Sequence, residues 1–351
     1  MKAYFKPITA IICVLALAFL AACSEASLGI SNQGRDIAAE PLSVHSLVQL
    51  DAWPEYQAAQ AKEDLAAGFD LKPSYYQTGT DIYARLQNAD WQIASLGVFP
   101  ALLVLNTGQA ELVGLASDES AANILFARQG DPILSQKTDG LPGSQSLIKG
   151  KTFILTTAST SSVLLHHYLK KFNLTERDIN INSMEPEDAL KAFQAGKGDY
   201  LLLWSPYIYK AFDEDWVPVL NGQNLALHLP MVYLAKAGWS EKNKDRIKAF
   251  MKTRDPYIKS YREPSAALVK DIKNFFKAEV NTTFSDEQVK DLISRHALYT
   301  SDEQQELLDQ GQVEQWLSEN ADIYSQQEKF TPKDLERIRK AHFYINAGYL
   351  T

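Results

Sequence analysis

The stretch KTFILTTASTSSVLLHHYLKKF, residues 151–172, opens on an apolar, β-prone run from Lys151 to Thr156. It breaks at a cluster of small hydroxyl residues and continues as a helical pattern from Ser161 to Phe172. The alternation then repeats: 178–182 reads as strand, 186–195 as helix and 199–204 as strand. Strand, helix, strand at this spacing predicts a parallel α/β unit. Upstream the same pattern recurs, with strands over 42–49, 71–77, 91–95 and 111–116 and helices over 54–67, 80–88 and 98–107. Between the two series lies Asp131 to Gly150, rich in Gly, Pro and Ser. Two α/β lobes are therefore expected in succession. The apolar run Leu225 to Lys236 reads as a strand that leaves the second lobe and returns to the first. Beyond it the chain reads as helical to its end. Capping boxes are expected at Ser285-Asp286-Glu287-Gln288 and Ser301-Asp302-Glu303-Gln304, and Thr331-Pro332 places proline in a first turn. Alternating apolar and charged faces predict that this tail covers the first lobe.

The N-terminus carries Lys2 and Lys6 and then an apolar run from Ile8 to Ala22. That is the charged and apolar order of an export signal, and its roughly 15 residues fall short of the ~20 that span a bilayer. The run closes on Leu20-Ala21-Ala22-Cys23, a pattern that resembles a lipobox, so cleavage before Cys23 and lipidation of its thiol are expected. Residues 1–22 are then signal and 23–41 a polar, flexible tether. Lobe 1 is expected over 42–122, lobe 2 over 123–230, and the return to lobe 1 plus the C-terminal helices over 231–351. The only other cysteine, Cys13, leaves with the signal, so no disulfide, thiol nucleophile or cysteine metal site remains. None of the six histidines has the i, i+4 spacing that brings two imidazoles to one helix face. Neither a metal nor any other cofactor is expected. A net charge of −8 argues against nucleic acid as a partner.

In open α/β sheets ligands sit beyond the carboxyl ends of the strands, where loops lead into helices. Those loops carry Asp51 and Trp53; Thr78, Gly79 and Thr80; Ser95, Leu96 and Gly97; Ser117; Ser159, Thr160, Ser161 and Ser162; Met184; and Trp204 and Tyr207. Hydroxyls, glycines and aromatics dominate, and no Lys or Arg is among them. The loops show no convergent carboxylate pair, no Ser-His-Asp set and no phosphate-type glycine loop, so they read as a binding cleft, with no catalytic residue assigned. Helix starts at Thr80, Gly97 and Thr160 would aim free N–H groups at an oxyanion. Trp53, Trp204 and Tyr207 could enclose an apolar or aromatic body. Each has a plainer role open to it. Hydroxyls before helices are ordinary N-caps, Trp53 can pack on a lobe surface, and Asp51 can cap a helix or meet a ligand amine. Adjacent His166 and His167 point about 100° apart on a helix, one inward and one to solvent.

Several of these pieces also resemble a known family. Leu147-Ile148-Lys149-Gly150-Lys151, Ala158-Ser159-Thr160-Ser161, the run Pro186 to Gly196, and Asp199 through Trp204-Ser205-Pro206-Tyr207 look like the nitrate/sulfonate/taurine group of ABC substrate-binding proteins. That group also includes receptors for thiamine-type pyrimidine precursors. Ser95-Leu96-Gly97 with Pro100-Ala101 continues the likeness in the first lobe, and it covers about residues 42 to 240. The resemblance implies a type II periplasmic-binding-protein fold: two Rossmann-like lobes, a ligand cleft between them and a helical C-terminal tail on lobe 1. It implies a lipid-anchored, monomeric receptor in the cell envelope, facing the periplasm or exterior. Such a receptor delivers a small-molecule ligand to an ABC permease and its ATPase. Three departures stand out. Serine occupies position 162 where the family's loop has histidine, Ser205 replaces an aspartate, and the loops lack a cation. These favour an organic ligand, sulfonate-like or aromatic and heterocyclic, over nitrate or bicarbonate. A ligand-sensing subunit of a signalling system is the alternative. An enzyme of the pyrimidine-precursor type is disfavoured by the missing cysteines and cleft histidine.

Overall fold

The computed structural model describes residues 39–87, 90–327, 330–342 and 347–350. The signal, Cys23 and the tether as far as residue 38 lie outside the described residues. Thirteen strands occur along the described chain: β1 (Glu40–Leu47), β2 (Phe69–Tyr76), β3 (Ile93–Gly97), β4 (Ala110–Asp118), β5 (Asn123–Ala127), a small hairpin of β6 (Lys137–Thr138) and β7 (Leu141–Pro142), β8 (Thr152–Leu155), β9 (Asn180–Ser183), β10 (Tyr200–Trp204), β11 (Val217–Asn221), β12 (Pro230–Lys236) and β13 (Ala297–Leu298). One six-stranded sheet has the order β13-β4-β12-β3-β1-β2, and a five-stranded sheet has the order β11-β5-β10-β8-β9.

Both sheets are mixed, which corrects the all-parallel expectation. β1 runs parallel to β2 and β3, but β12 inserts antiparallel between β3 and β4. In the other sheet β8, β9 and β10 are parallel, whereas β5 pairs antiparallel with β10 and β11. The reason is connectivity. β5 and β12 each enter a sheet from the other lobe through a short link, without the helical crossover that a parallel neighbour requires. β5 and β11 were not read as strands from the sequence, and β11 carries Pro218, which breaks the strand pattern.

The first lobe's core is built around β3, buried along its whole length, and the helix Val98–Asn106, which buries seven of its residues. Each Leu or Phe so buried contributes about 1.5–3 kcal/mol. The tail helix Gln312–Gln326 covers this helix: Tyr324 stacks on Phe99 with ring centroids 3.6 Å apart, and its hydroxyl donates to Phe99 O at 2.8 Å. The tail also reaches the second lobe. Tyr209 donates to Asp291 in the helix Asp286–Arg295 (2.9 Å) and its ring meets Phe284 at 5.4 Å. The capping box at Ser285 forms as expected. The next one is centred on Thr300, with Glu303 as its partner, because Ser301 is held as the first helical residue by Asp255 (2.9 Å to its N–H). The expected helix over 54–67 divides into Trp53–Gln60 and Glu63–Ala66, broken where Lys62 takes a left-handed conformation at φ 59°.

The chain crosses between the sheets from β4 to β5 through 119–122 and from β11 to β12 through 222–229. One carboxylate ties the two crossings. Asp118 Oδ1 accepts from the N–H groups of Ser120 (2.8 Å) and Leu229 (3.1 Å), and Oδ2 lies 2.8 Å from His228 Nδ1. The His228 ring stacks on Trp316 at 4.3 Å. Burial alone would push Asp118 up, but hydrogen bonds from His228, Ser120 and Leu229 outweigh it and hold the group below its ordinary range. The hydrogen bond to Asp118 raises His228 above its ordinary value. Asp118 therefore contributes stability that is full above pH 3.8 and is lost as pH falls through its lower folded value. His228 contributes stability that is full below pH 6.5 and is lost as pH rises through its raised folded value. The pair is strongest between those limits. His228→Gln should lower the unfolding free energy from urea titration more at about pH 5.5 than at about pH 8.5. Because His228 is half-exposed, the difference should be on the order of 0.5–1 kcal/mol. An equal loss at both pH values would remove the ion pair from the account.

Candidate functional site

Two helices begin where the lobes meet. β3 ends at Gly97, the N-cap of Val98–Asn106, and glycine offers no side chain to cap it. β8 leads through a turn, with Ala158 left-handed at φ 58°, into Thr160–Lys171. Its N-cap Ser159 does not cap; the hydroxyl donates back to Thr156 O at 2.6 Å. Neither helix has an N-cap side chain satisfying its first-turn N–H groups, the arrangement that favours an anion. The two starts oppose each other closely. A Cβ built on Gly97 would lie 3.1 Å from Thr160 Cγ2 and 3.9 Å from Glu119 Oε1.

A polar network fills the junction. Thr160 Oγ1 donates to Glu119 Oε1 (2.5 Å) and accepts from Asn123 Nδ2 (3.1 Å), and Ser161 donates to Asn123 Oδ1 (2.8 Å). The Gln49 amide, in the orientation that satisfies both neighbours, donates to Glu119 Oε2 and accepts from Trp204 Nε1, each at 3.1 Å. Trp204 meets Tyr207 edge-on at 5.9 Å. On the first lobe Ser95 donates to Asp51 Oδ2 (3.0 Å), and Glu55 accepts from Ser46 (2.6 Å) and Tyr233 (3.0 Å). Arg254, from the helix Lys244–Tyr261, is buried with its guanidinium 4.5 Å from the centre of the Tyr233 ring.

Burial pushes three carboxyls up: Asp51 to about 6, Glu55 to about 7 and Glu119 to about 8. Arg254 pulls the first two partly back. The charges acting on Glu119 are Asp51 and Asp118, both of which raise it further. Asp51 Oδ1, Trp53 Nε1, Ser117 Oγ, and Nε and Nη2 of Arg254 are buried without a hydrogen-bond partner.

Of the residues expected from sequence, Thr160, Ser161 and Trp204 are joined through the Glu119–Asn123–Gln49 network, Gly97 faces Thr160, and Ser95 and Asp51 form a separate bonded pair. Ser117 stands beside Met231, the residue that also pairs with Gly97. Ser162 is buried on the same first turn as Thr160. Leu96 points the other way, into the first lobe's core, as strand alternation requires between Ser95 and Gly97. At Gly79 a Cβ would fall 2.4 Å from Pro100 Cγ, so glycine there lets two helices approach. Thr78 caps that helix, accepting from Asp81 N and contacting Thr80 Oγ1 at 3.0 Å. Trp53 is packed edge-on to Tyr257 at 5.9 Å. Met184 is partly buried, its carbonyl accepting from Thr156. Tyr207 lines a surface pocket of about 150 Å³ with Gln77, Glu187, Lys210 and Glu279. His166 and His167 are both half-buried, which corrects the one-in, one-out reading.

Sequence reasoning missed Gln49, Glu119, Asn123 and Arg254. Three flank recognised loops, whereas Arg254 lies inside a charged helix where nothing separates it from its solvated neighbours. They add buried carboxylates and one buried cation to the hydroxyls and aromatics that the loops carry. Among the described residues no group of three or more His, Cys, Asp or Glu could hold a metal ion.

No family model matches the chain. It is similar to a Brachyspira hyodysenteriae protein named as an ABC transporter periplasmic binding protein, 24% identical over 278 residues, or 77% of this chain and 76% of that protein. It is likewise similar to a Bacillus subtilis protein named as an aliphatic sulfonates-binding protein, 25% identical over 237 residues, or 65% of this chain and 68% of that protein. Among solved structures, the periplasmic aliphatic sulphonate-binding protein SsuA from Escherichia coli superposes with a TM-score of 0.66 at 18% identity, covering 87% of this chain and 97% of that one. The chain has the periplasmic-binding-protein fold, as the motifs between Lys149 and Tyr207 implied.

Thr160→Val keeps the shape of the side chain and deletes both of its hydroxyl contacts, leaving Glu119 Oε1 and Asn123 Nδ2 unmatched. Denaturant unfolding at neutral pH should show a loss of about 1–3 kcal/mol with an unchanged m-value. A loss below about 0.5 kcal/mol would mean the network does not tie the second lobe to the crossing segment.

Proposed function

We propose that this protein is the extracytoplasmic solute-binding component of an ABC importer, capturing a small organic oxyanion of the sulfonate type by closure of its two lobes. The observation that carries the proposal is the opposition of two uncapped helix starts, at Gly97 and Thr160, beside the segments that join the lobes. Preorganised N–H groups and aligned peptide dipoles recognise an oxyanion without a dedicated arginine. Ligand contacts made from both sides favour the closed arrangement over the open one, and a permease can read that difference. The names of the relatives point the same way.

The protein acts as a carrier without turnover. One Ser–His pair has the look of a nucleophile and its base: Ser205 Oγ lies 3.0 Å from His296 Nε2, with Nδ1 at 2.9 Å from Leu292 O. Both residues are buried where β10 meets the tail, and the pair serves to lock the tail onto the second lobe. Export and acylation at Cys23 complete the reading, with a permease and ATPase as partners and a monomer as the working form. Among the described residues no helix is long and apolar enough to cross a membrane.

Two measurements test this. In a thermal-shift series a short alkanesulfonate or aminoalkanesulfonate at a hundred times its Kd should add about 2.7 kcal/mol of stability, and mass spectrometry should return the ligand unchanged. Silence from every sulfonate, or conversion of one, would end the proposal. For the anchor, cells fed radiolabelled palmitate should label the wild-type chain and not Cys23→Ser, which should partition into the soluble fraction. Equal labelling of both would place any lipid elsewhere.

A further inference from the structure

The tail helix Gln312–Gln326 touches three parts of the molecule in the order of its sequence. Near its start Trp316 stacks on His228 at 4.3 Å and Asn320 Nδ2 donates to His228 O at 3.2 Å, so this end sits on the crossing 222–229. Along its length Val313, Leu317, Ala321 and Tyr324 are buried in the first lobe's core, which makes the helix part of that lobe. Its far end belongs to neither place. Gln326 Oε1 meets His166 Nε2 at 3.0 Å, and Gln327 Nε2 donates to Glu176 Oε1 at 2.5 Å. Both partners are second-lobe residues, one in the helix Thr160–Lys171 and the other in the turn Glu176–Asp178.

The second lobe contributes one apolar side chain to the same seam. Leu164, Leu165 and Tyr168 pack in their own lobe's core, but Val163, directly before them, is buried in the first lobe's core at 1% exposure. Adjacent residues on a helix point about 100° apart, so the helix Thr160–Lys171 lies between the two cores. An apolar contact and two hydrogen bonds thus pass from lobe to lobe away from the crossings.

Distance from the crossings decides what these contacts do. At roughly 1.5 Å per residue, Gln326 stands about 15 Å along the helix from Trp316. A lobe rotation on the order of 15° about the crossings would leave the His228 contacts nearly in place and move a point that far out by roughly 4 Å. Such a shift breaks both hydrogen bonds and draws Val163 out of its pocket. Contacts near the axis permit motion, and those at the tip oppose it.

We infer that the last turn of Gln312–Gln326 is a latch: through Gln326, Gln327 and the burial of Val163 the protein's own contacts hold the second lobe against the first, and the lobes part only when the latch releases. The latch stands on these contacts alone. Its consequence for transport rests on the importer reading, in which solute enters between the lobes and only the unlatched fraction of molecules takes it in.

The test is hydroxyl-radical footprinting of the full-length protein with no solute added, read by mass spectrometry as the oxidation rates of four buried side chains. Two face the seam between the lobes: Trp204, which bonds Gln49, and Met231, whose sulfur lies 3.6 Å from a Cβ built on Gly97. Two controls, Trp91 and Met251, are buried in the first lobe's core. Gln326→Ala with Gln327→Ala should speed oxidation of Trp204 and Met231 about tenfold, because each lost hydrogen bond shifts the opening equilibrium by a factor of several. The controls should keep their rates. His166→Ala cuts the latch from the second lobe's side and should speed the same two residues about threefold. Gln315→Ala, on the solvent face of the tail helix where its amide bonds Glu319, should change nothing. Unchanged rates at Trp204 and Met231 overturn the latch. So does an equal rise in all four residues, which would mark a general loss of stability, or a rise at Trp316 alone, which would mark fraying of the tail. His166→Ala carries the test if the tail variant does not fold. Since no solute enters the measurement, a failed latch leaves the importer reading standing, and silence from the sulfonate series ends that reading without touching the latch.

Discussion

The Asp118 carboxylate is the point on which the two-lobed architecture turns. A chain that crosses twice between sheets has two separate links, and without a bond between them each could twist on its own. Asp118 removes that freedom by accepting from Ser120 in one link and Leu229 in the other, and the Glu119 N–H adds a bond to Leu229 O at 3.1 Å. The two links are thereby held side by side. The mixed character of both sheets follows from the same place, because strands that arrive through these short links enter against the direction of their neighbours.

Beside this staple the protein tolerates a cost. Asp51, Glu55 and Glu119 have folded pKa values raised above their ordinary ones, so the folded state holds more protons than the unfolded state wherever those carboxyls would otherwise be ionised. Linkage then makes stability fall as pH rises through that interval, the opposite of what the salt-bridged Asp118 contributes at acid pH. A core designed for stability alone would replace such groups with apolar residues of similar volume. Their presence at the meeting of two helix starts, with unmatched partners nearby, accords with the proposed solute site.

Much of the fold was legible because it rests on periodicity. Except for the helix over 54–67, which divides at Lys62, each run between 42 and 116 and between 151 and 204 became a strand or helix within a few residues of its expected ends. Gly97 and Thr160 could be marked as helix starts because strand-to-helix turns need small or hydroxyl residues. The antiparallel insertions were not legible, since alternation of apolar residues carries no information about strand direction. Nor was the electrostatics. Glu119 and Asp118 are adjacent acids in the sequence, yet burial holds Glu119 high while hydrogen bonds from His228, Ser120 and Leu229, two of them more than a hundred residues away, hold Asp118 low. Arg254 reads like any cation on an amphipathic helix until Tyr233 and the neighbouring acids are packed around it.

This division bears on how a shared fold can serve different ligands. The oxyanion part of the proposed site is made of backbone, from helix starts that any sequence with the right turns reproduces. The part that would read the rest of the ligand is made of side chains drawn from four places: the end of β1, the link after β4, the start of the first helix and the middle of the helix Lys244–Tyr261. No local motif contains them together, so likeness in the strand–loop–helix pieces carries the fold and leaves these side chains free to differ. In chains of this fold, differences in ligand chemistry should therefore track the charge balance of the buried groups behind the helix starts more closely than they track the loops themselves.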